Sequence, residues 1–359
     1  ALTADGNGTL VIDGDFNTDV SGNVSVANAN TIVAATTGQV DFTGTITDSM
    51  ANMLNGDESA ISTAFAAVTN GTSSSDGDGG VAVTVNAGTL TVTKLNLIKA
   101  ATTGQITAAI SGTANALTSL NTVGTDAITM TVDAGTVAAA DLTTIDGKTN
   151  VAVAANAVTK ITGSGTEVLA ALTADGNGTL VIDGDFNTDV SGNVSVANAN
   201  TIVAATTGQV DFTGTITDSM ANMLNGDESA ISTAFAAVTN GTSSSDGDGG
   251  VAVTVNAGTL TVTKLNLIKA ATTGQITAAI SGTANALTSL NTVGTDAITM
   301  TVDAGTVAAA DLTTIDGKTN VAVAANAVTK ITGSGTEVLA ALTADTNGTL
   351  VIDGDFNTD

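Results

Sequence analysis

The sequence predicts a mainly β protein, a parallel β-solenoid with short helical connectors, built of tandem 170-residue repeats. The first observation is self-similarity: residues 1–170 recur without change as residues 171–340. Residues 341–359 begin a third copy, in which Thr346 replaces the glycine of the earlier copies. The second observation is a set of short segments in each copy that alternate apolar and polar residues, as strands do. Strands and connectors recurring at intervals of about 20–30 residues are typical of a coiled solenoid.

The alternation is clearest around residue 130. Here Ile128, Met130 and Val132 would share one face of a strand, while Thr129 and Thr131 take the other. Five further segments follow this pattern: Val81, Val83, Val85 and Ala87; Val151, Val153 and Ala155; Val40, Phe42, Gly44 and Ile46; Ile106, Ala108 and Ile110; Leu10 and Ile12. The polar face predicts a wall that faces solvent, because a parallel sheet covered on both faces has continuous apolar runs.

Four connectors show apolar residues at helical spacing, which predicts helices of one or two turns. They are residues 49–68, 113–120, 137–145 and 165–172. The pentapeptide Ala-Ala-Thr-Thr-Gly occurs twice per copy, at residues 34–38 and 100–104, each time directly before a predicted strand.

The repeat predicts one continuous solenoid through residues 1–170, 171–340 and 341–359, because each solenoid unit packs only on its neighbours. The chain starts without Met and stops within a repeat, so we expect it to be a window on a longer array. A string of small β-sandwich domains is the alternative, since sandwiches also use short alternating strands. The absence of Pro and an aromatic content of 2% argue against sandwiches.

The charge is strongly negative, with 34 Asp and Glu against 8 Lys and a formal net charge of −26. Such a field opposes nucleic acid and anionic membrane surfaces, and attracts divalent cations. No segment comes near the length of about 20 consecutive apolar residues that a membrane-spanning helix needs. A hydrophobic content of 43% nevertheless indicates a folded chain rather than an acidic disordered one.

The chain lacks His, Cys, Tyr, Trp and Arg, so the common pairs of nucleophile and base cannot be assembled. Carboxylate pairs can hydrolyse glycosides, but each copy contains only Glu58 and Glu167, or their equivalents, and no aromatic platform suited to a sugar. We therefore expect no enzymatic activity.

The richest acidic segment is a candidate Ca²⁺ site, because its oxygen ligands stand at alternate positions. The candidate ligands are Asp13, Asp15, Asn17 and Asp19, and in the second copy Asp183, Asp185, Asn187 and Asp189. The pattern departs from an EF-hand at position six, which is Thr18, and at position twelve, which is Val24. Residues 5–8 and 76–80 are weaker candidates. The alternative is that these residues only form turns, which Asp and Asn favour.

Two further hypotheses concern a loop and the threonine residues of the predicted strands. Residues 73–80, Ser-Ser-Ser-Asp-Gly-Asp-Gly-Gly, predict a flexible loop. An ice-binding face would need a regular Thr array on every coil, but the outward positions also hold Asp41, Asn86 and Ala152.

Residues 131–145 (TVDAGTVAAADLTTI) and 151–172 (VAVAANAVTKITGSGTEVLAAL) resemble repeats in giant cell-surface proteins of marine cyanobacteria, and RTX-like adhesins are similar in composition. The resemblance implies a bacterial extracellular scaffold, often calcium-dependent. We expect a non-enzymatic structural protein that forms a filament, sheath or cell-surface scaffold by self-association. The alternative is the stalk of a large calcium-dependent adhesin whose binding domain lies elsewhere. The expected partners are copies of the chain itself, with cell-surface polysaccharide as a further candidate.

Overall fold

The computed structural model describes most of the chain: residues 5–8, 10–69, 80–239 and 250–358. The chain divides into two compact units. The first unit comprises Ala1–Ile161 and Ala170–Asp183, and the second comprises Thr162–Leu169 and Gly184–Asp359. The first unit thus includes the opening residues of the second sequence copy.

Strands and helices alternate along residues 1–183. The strands are β1 (Thr18–Val20), β2 (Val40–Phe42), β3 (Thr45–Ser49), β4 (Ala82–Ala87), β5 (Ile106–Gly112), β6 (Ala127–Val132), β7 (Gly135–Ala138), β8 (Val153–Ala155), β9 (Val158–Ser164) and β10 (Leu180–Ile182). The helices are α1 (Val26–Ala34), α2 (Met50–Met53), α3 (Thr63–Thr69), α4 (Val92–Ala101), α5 (Ala114–Thr118), α6 (Ala139–Asp146) and α7 (Gly165–Gly176).

The same alternation continues from residue 184. The strands are β11 (Asn187–Ser191), β12 (Val210–Phe212), β13 (Thr215–Ser219), β14 (Ala252–Ala257), β15 (Ile276–Gly282), β16 (Ala297–Val302), β17 (Gly305–Ala308), β18 (Val323–Ala325), β19 (Val328–Thr332), β20 (Leu350–Ile352) and β21 (Asn357–Thr358). The helices are α8 (Val196–Ala204), α9 (Met220–Met223), α10 (Thr233–Thr239), α11 (Val262–Ala271), α12 (Ala284–Leu287), α13 (Ala309–Asp316) and α14 (Gly335–Thr346).

The main sheet of the first unit has six strands in the order β10-β8-β6-β5-β4-β3, and neighbouring strands are parallel. In the second unit, β13-β14-β15-β16-β18-β20 form the equivalent sheet. In the first unit, β1 also pairs in parallel with β2. In the second unit, β19 pairs in parallel with both β17 and β21.

The predicted alternation sets the strand faces. In β6, Ile128, Met130 and Val132 are buried while Thr129 and Thr131 are exposed, as expected from period two. Adjacent strands place buried apolar residues side by side: Ala108 pairs with Ile128, and Ile110 pairs with Met130. Ala87 and Ala134, in contrast, are exposed rather than on the inner face.

Each longer helix buries one apolar stripe against the core. Thr91 is the N-cap of helix α4, and its hydroxyl accepts a hydrogen bond from Lys94 N. The helix buries Leu95 and Ile98 completely. Helix α6 buries Leu142 and Ile145 at the same spacing of three. Burial of each such side chain contributes about 1.5–3 kcal/mol.

The prediction of a mainly β solenoid with short helical connectors is wrong. The chain is an α/β protein, 33% helical and 31% strand, in which parallel sheets alternate with helices. The strands have 2 to 7 residues, whereas α4 has 10 and α7 has 12. Helices therefore contribute as much of the chain as strands, and they supply buried residues such as Phe65 and Leu95.

Two connectors differ from their predictions in detail. Residues 49–68 form two helices rather than one, separated by a loop in which Leu54 bridges Ile61 and Glu58 adopts a φ of 58°. Helices α1 and α4 were not predicted. Within the described ranges, no helix is long and apolar enough to cross a membrane.

Candidate functional site

The edge of the first unit's main sheet is formed by residues of the second sequence copy. Strand β10 pairs with β8 in parallel, with Leu180 opposite Val153 and Ile182 opposite Ala155. Leu180 is fully buried and Ile182 is 9% exposed. The sheet is thus completed from beyond the 170-residue boundary. We call residues 10–12, 180–182 and 350–352 the edge segments, because they have the same sequence, Leu-Val-Ile.

Hydrogen bonds outside the strand ladder also hold this edge segment. Val153 N donates to the carbonyl of Thr179 at 2.9 Å, and the Thr179 hydroxyl donates to Asp146 Oδ2 at 3.0 Å. Asp146 is the last residue of α6. The segment is therefore attached both to the sheet and to a helix of the preceding sequence copy.

The second unit repeats this arrangement with its own residues. Strand β20 pairs with β18, with Leu350 opposite Val323 and Ile352 opposite Ala325. The Thr349 hydroxyl donates to Asp316 Oδ2 at 3.0 Å. The edge segment therefore contacts the preceding copy in the same way in both units.

A tight loop precedes each docked edge segment. In one, Asp175 Oδ1 accepts a hydrogen bond from Ile182 N at 2.8 Å, and Gly178 N donates to the Asp175 carbonyl at 2.9 Å. Gly178 has a φ of 75°, which glycine adopts at little cost. The carboxylate thus fixes the loop at the start of the strand.

The first edge segment has the same loop but forms no strand. Asp5 Oδ1 accepts from Ile12 N at 3.0 Å, Gly8 N donates to the Asp5 carbonyl at 2.8 Å, and Gly8 has a φ of 70°. Leu10 is 42% exposed and Val11 is 91% exposed.

Asp126 is the most buried charged residue described in the first unit, and its partners connect separate elements of the fold. Its Oδ1 lies 3.0 Å from Lys99 Nζ and accepts from Ile106 N at 2.8 Å, while its Oδ2 accepts from Val123 N at 2.9 Å. Asp126 is fully buried and the Lys99 side chain is 13% exposed. Lys269 and Asp296 repeat the pair. A carboxylate so fully hydrogen-bonded joins α4 to β5 and the loop before β6.

The Ala-Ala-Thr-Thr-Gly pentapeptide, which recurs within each copy, also has a structural role. The Thr102 hydroxyl donates to the Val81 carbonyl at 2.6 Å and accepts from Gly104 N at 3.0 Å. A Cβ at Gly104 would lie 2.3 Å from the Val81 carbonyl oxygen. The pentapeptide therefore joins the start of one strand to the start of the strand before it.

No family model, no curated protein and no solved structure matches this chain.

The predicted calcium ligands lie on a turn and an adjoining strand at the surface. Asp13 and Asp15 are exposed, and Asn17 Oδ1 accepts a hydrogen bond from Gln39 N at 2.7 Å. Asp19 lies in β1, directly opposite Asp41 of β2. The second copy places Asp183, Asp185, Asn187 and Asp189 equivalently, with Asn187 Oδ1 accepting from Gln209 N at 2.7 Å.

Throughout the described ranges, no group of three or more His, Cys, Asp or Glu could hold a metal ion. The calcium-binding character expected from the sequence is therefore corrected. The Asn17 side chain accepts a hydrogen bond from a backbone N–H, and Asp19 lies within strand β1 rather than on the turn. The weaker candidate at residues 76–80 and the loop at 73–80 lie outside the described residues, apart from Gly80.

An open groove of about 330 Å³ lies beside β5 and β6, and the second unit has its equivalent. Thr89, Ser111, Thr129 and Thr131 contribute hydroxyls to its lining. Its lining residues include no titratable side chain, so it offers no group for acid–base chemistry.

Sequence analysis missed the residues that hold the edges together. The signal for Thr102 was present, because its pentapeptide recurs before strands. The pairing of Lys99 with Asp126 spans 27 residues and has no local signal. The role of the edge segment was missed because its partner strand lies in the preceding copy.

Proposed function

We propose that the protein is a non-enzymatic structural protein, in which tandem copies form a mechanically continuous array. The observation that carries the proposal is the completion of each main sheet by the edge segment that follows the repeat boundary. A copy whose sheet ends in residues of the next copy cannot separate from it without losing a strand. This interlocking is a feature that a spacer or filament requires.

The negative charge supports the same role. With a formal charge of −26, the chain is a poor partner for nucleic acid and for anionic membrane surfaces, which argues against two other classes of function. The composition lacks the side chains of most catalytic pairs. The resemblance of residues 131–145 and 151–172 to repeats of giant bacterial surface proteins supports a role outside the cell.

A force experiment on the full chain tests the proposal. We expect the chain, pulled by its two ends, to resist extension until each unit unfolds in a discrete event. Leu180→Asp is expected to lower the force of one event by removing the edge of the first sheet, whereas Leu10→Asp leaves both events unchanged. Extension of the wild-type chain without discrete events would refute a mechanical role.

A further inference from the structure

One face of each main sheet is exposed. In β5 and β6 the alternate residues are buried, and the residues exposed on this face are Thr107, Ala109, Ser111, Thr129 and Thr131. The equivalent residues of β15 and β16 are exposed in the same way. These strands lie in the middle of each sheet, with a paired strand on both sides. The exposure therefore belongs to the fold of each unit and not to a sheet edge.

This face carries no charged side chain. Paired residues share a face of a sheet, so the strand register extends the surface across all six strands. It runs from Thr107 through Thr84 to Thr47, and from Thr131 through Ala154 to Val181. We call this surface, and its equivalent in the second unit, the outer face. The 34 Asp and Glu of the chain lie elsewhere, and depletion of charge is typical of the centre of a protein interface.

We propose that the outer face packs against the outer face of a second copy of this chain. A formal charge of −26 opposes anionic partners, and a basic partner would bind the acidic surfaces rather than the one face without charge. An identical uncharged face is the matching surface, and its pairing by a two-fold axis is the commonest form of association. This inference rests on the proposed structural function and names the surface through which separate chains associate.

The outer face is large enough for such a contact. With strands about 4.8 Å apart and about 3.3 Å of strand per residue, the six strands of one main sheet cover about 500 Å². Two faces in contact then bury about 1,000 Å², the lower limit for a specific interface. Because the second unit has its own outer face, each chain can make two such contacts.

The side chains of the outer face also suit close packing. Burial of Ala costs no side-chain entropy, and Ser and Thr have fewer rotatable bonds to order than Lys or Glu. Small side chains let two sheets approach to about 10 Å. The hydroxyls of Ser111, Thr129 and Thr131 line the groove beside β5 and β6, where each can donate and accept a hydrogen bond across the contact.

The first experiment measures the mass of the full wild-type chain by light scattering as protein and salt concentrations rise. We expect the mass to increase at least about twofold from the 34.6 kDa of one chain. Association should be stronger at about 1 M than at about 0.01 M salt, because salt screens the repulsion between two acidic chains. A contact made by ion pairs would weaken instead. A mass of one chain under every condition, or association that weakens with salt, would overturn the proposal.

The second experiment places the contact on the outer face. Thr129→Asp combined with Thr299→Asp should keep the chain at 34.6 kDa, because both faces then bring carboxylates together. Thr136→Asp with Thr306→Asp is the matched control, since these exposed threonines lie in strands of other sheets, and should associate as wild type does. Equal association of the two double variants would overturn the proposal.

A mixing experiment shows that the face variants are folded. Chains with Thr129→Lys and Thr299→Lys should also stay single, but mixed with the Asp variant they should reach about twice the mass of one chain, since opposite charges then face one another. A mixture that stays at the mass of one chain would overturn the proposal. None of these measurements applies force, so their failure leaves the mechanical role standing, and failure of the force experiment leaves this contact standing.

Discussion

Residues 10–12 and 180–182 have the same sequence and different structures. Leu10 is 42% exposed and Leu180 is fully buried, while Val11 is 91% and Val181 is 38% exposed. Only the second segment is a strand, because only it has Val153–Ala155 beside it. The difference teaches that three residues of high strand propensity do not form a strand without a partner.

Other repeated positions behave in the opposite way. The Thr102 hydroxyl lies 2.6 Å from the Val81 carbonyl, and the Thr272 hydroxyl lies 2.6 Å from the Val251 carbonyl. All partners of these threonines belong to their own copy. Positions whose partners lie within one copy are thus equivalent, whereas residues 10–12 differ from residues 180–182 and 350–352, which pair with a strand of the preceding copy.

The first prediction has the largest expected effect and tests whether the two copies are equivalent. Asp126→Asn and Asp296→Asn should each lower the free energy of unfolding of their unit by about 3–5 kcal/mol, because each leaves a mostly buried lysine without its anion. Urea denaturation of the full chain measures both. Asp133→Asn, at an exposed position, is the control and should change the free energy by less than about 0.5 kcal/mol. Unequal losses in the two copies would contradict the equivalence.

The second prediction tests the difference between edge segments. Leu180→Ala should cost about 2–5 kcal/mol of unfolding free energy, because it empties a fully buried site. Leu10→Ala should cost less than about 0.5 kcal/mol, because Leu10 is already exposed. Both variants can be compared by urea denaturation. A similar cost at both positions would show that the first segment is docked in solution.

The third prediction compares neighbouring threonines. Thr102→Val removes a hydroxyl that both donates and accepts and leaves two buried backbone groups with one partner fewer, at a cost of about 1–3 kcal/mol. Thr103→Val is the matched control, since Thr103 is exposed, and should be nearly neutral. Hydrogen exchange at Gly104 N reports the loss locally. The pair Thr272→Val and Thr273→Val should repeat the result.

The smallest expected effect is the pH dependence of the helix caps. Backbone and hydroxyl hydrogen bonds from Ser334 hold the pKa of Glu337 below its usual range, and those from Ser164 do the same for Glu167. A lowered folded-state pKa gives stability that is present above the unfolded value of about 4.3 and is lost as pH falls through the folded pKa. The melting temperature should therefore fall as the pH is lowered below about 4.3.

Glu337→Gln tests this assignment, because glutamine can still accept the bonds of the capping box but does not titrate. We expect a shallower fall of the melting temperature in acid than for wild type. Glu167→Gln should give the same slope, since the two caps have the same partners. A slope unchanged by both substitutions would assign the acid sensitivity to other carboxylates.

Much of the strand pattern was predictable, and much of the helix content was not. Alternation correctly located β5 and β6, because Ile106, Ile110, Ile128 and Met130 are buried on one face. Helix α4 was missed although its apolar residues Val92, Leu95 and Ile98 recur at the helical spacing of three. Its Thr91 cap was a usable signal. The solenoid prediction failed because helices such as α1, α4 and α7, with 9, 10 and 12 residues, help to bring the helical share of the chain to that of the strands.

The acidic segment shows the limit of composition for predicting a site. Alternating oxygens at residues 13–19 suggested calcium, but Asn17 accepts a backbone hydrogen bond across 22 residues. Which oxygens face one another depends on how the chain returns to the turn. Spacing along the sequence does not contain that information.

The sequence by itself determined the repeat, the charge, the inner faces of most strands and the absence of common catalytic pairs. These properties depend on residue type and on neighbours a few positions away. Only the tertiary structure decided the balance of helix and strand, the buried pair of Lys99 with Asp126, and the sheet edge formed across the repeat boundary. Each of these depends on contacts between residues some 20–30 positions apart, so identical segments differ wherever one of them lacks its partner.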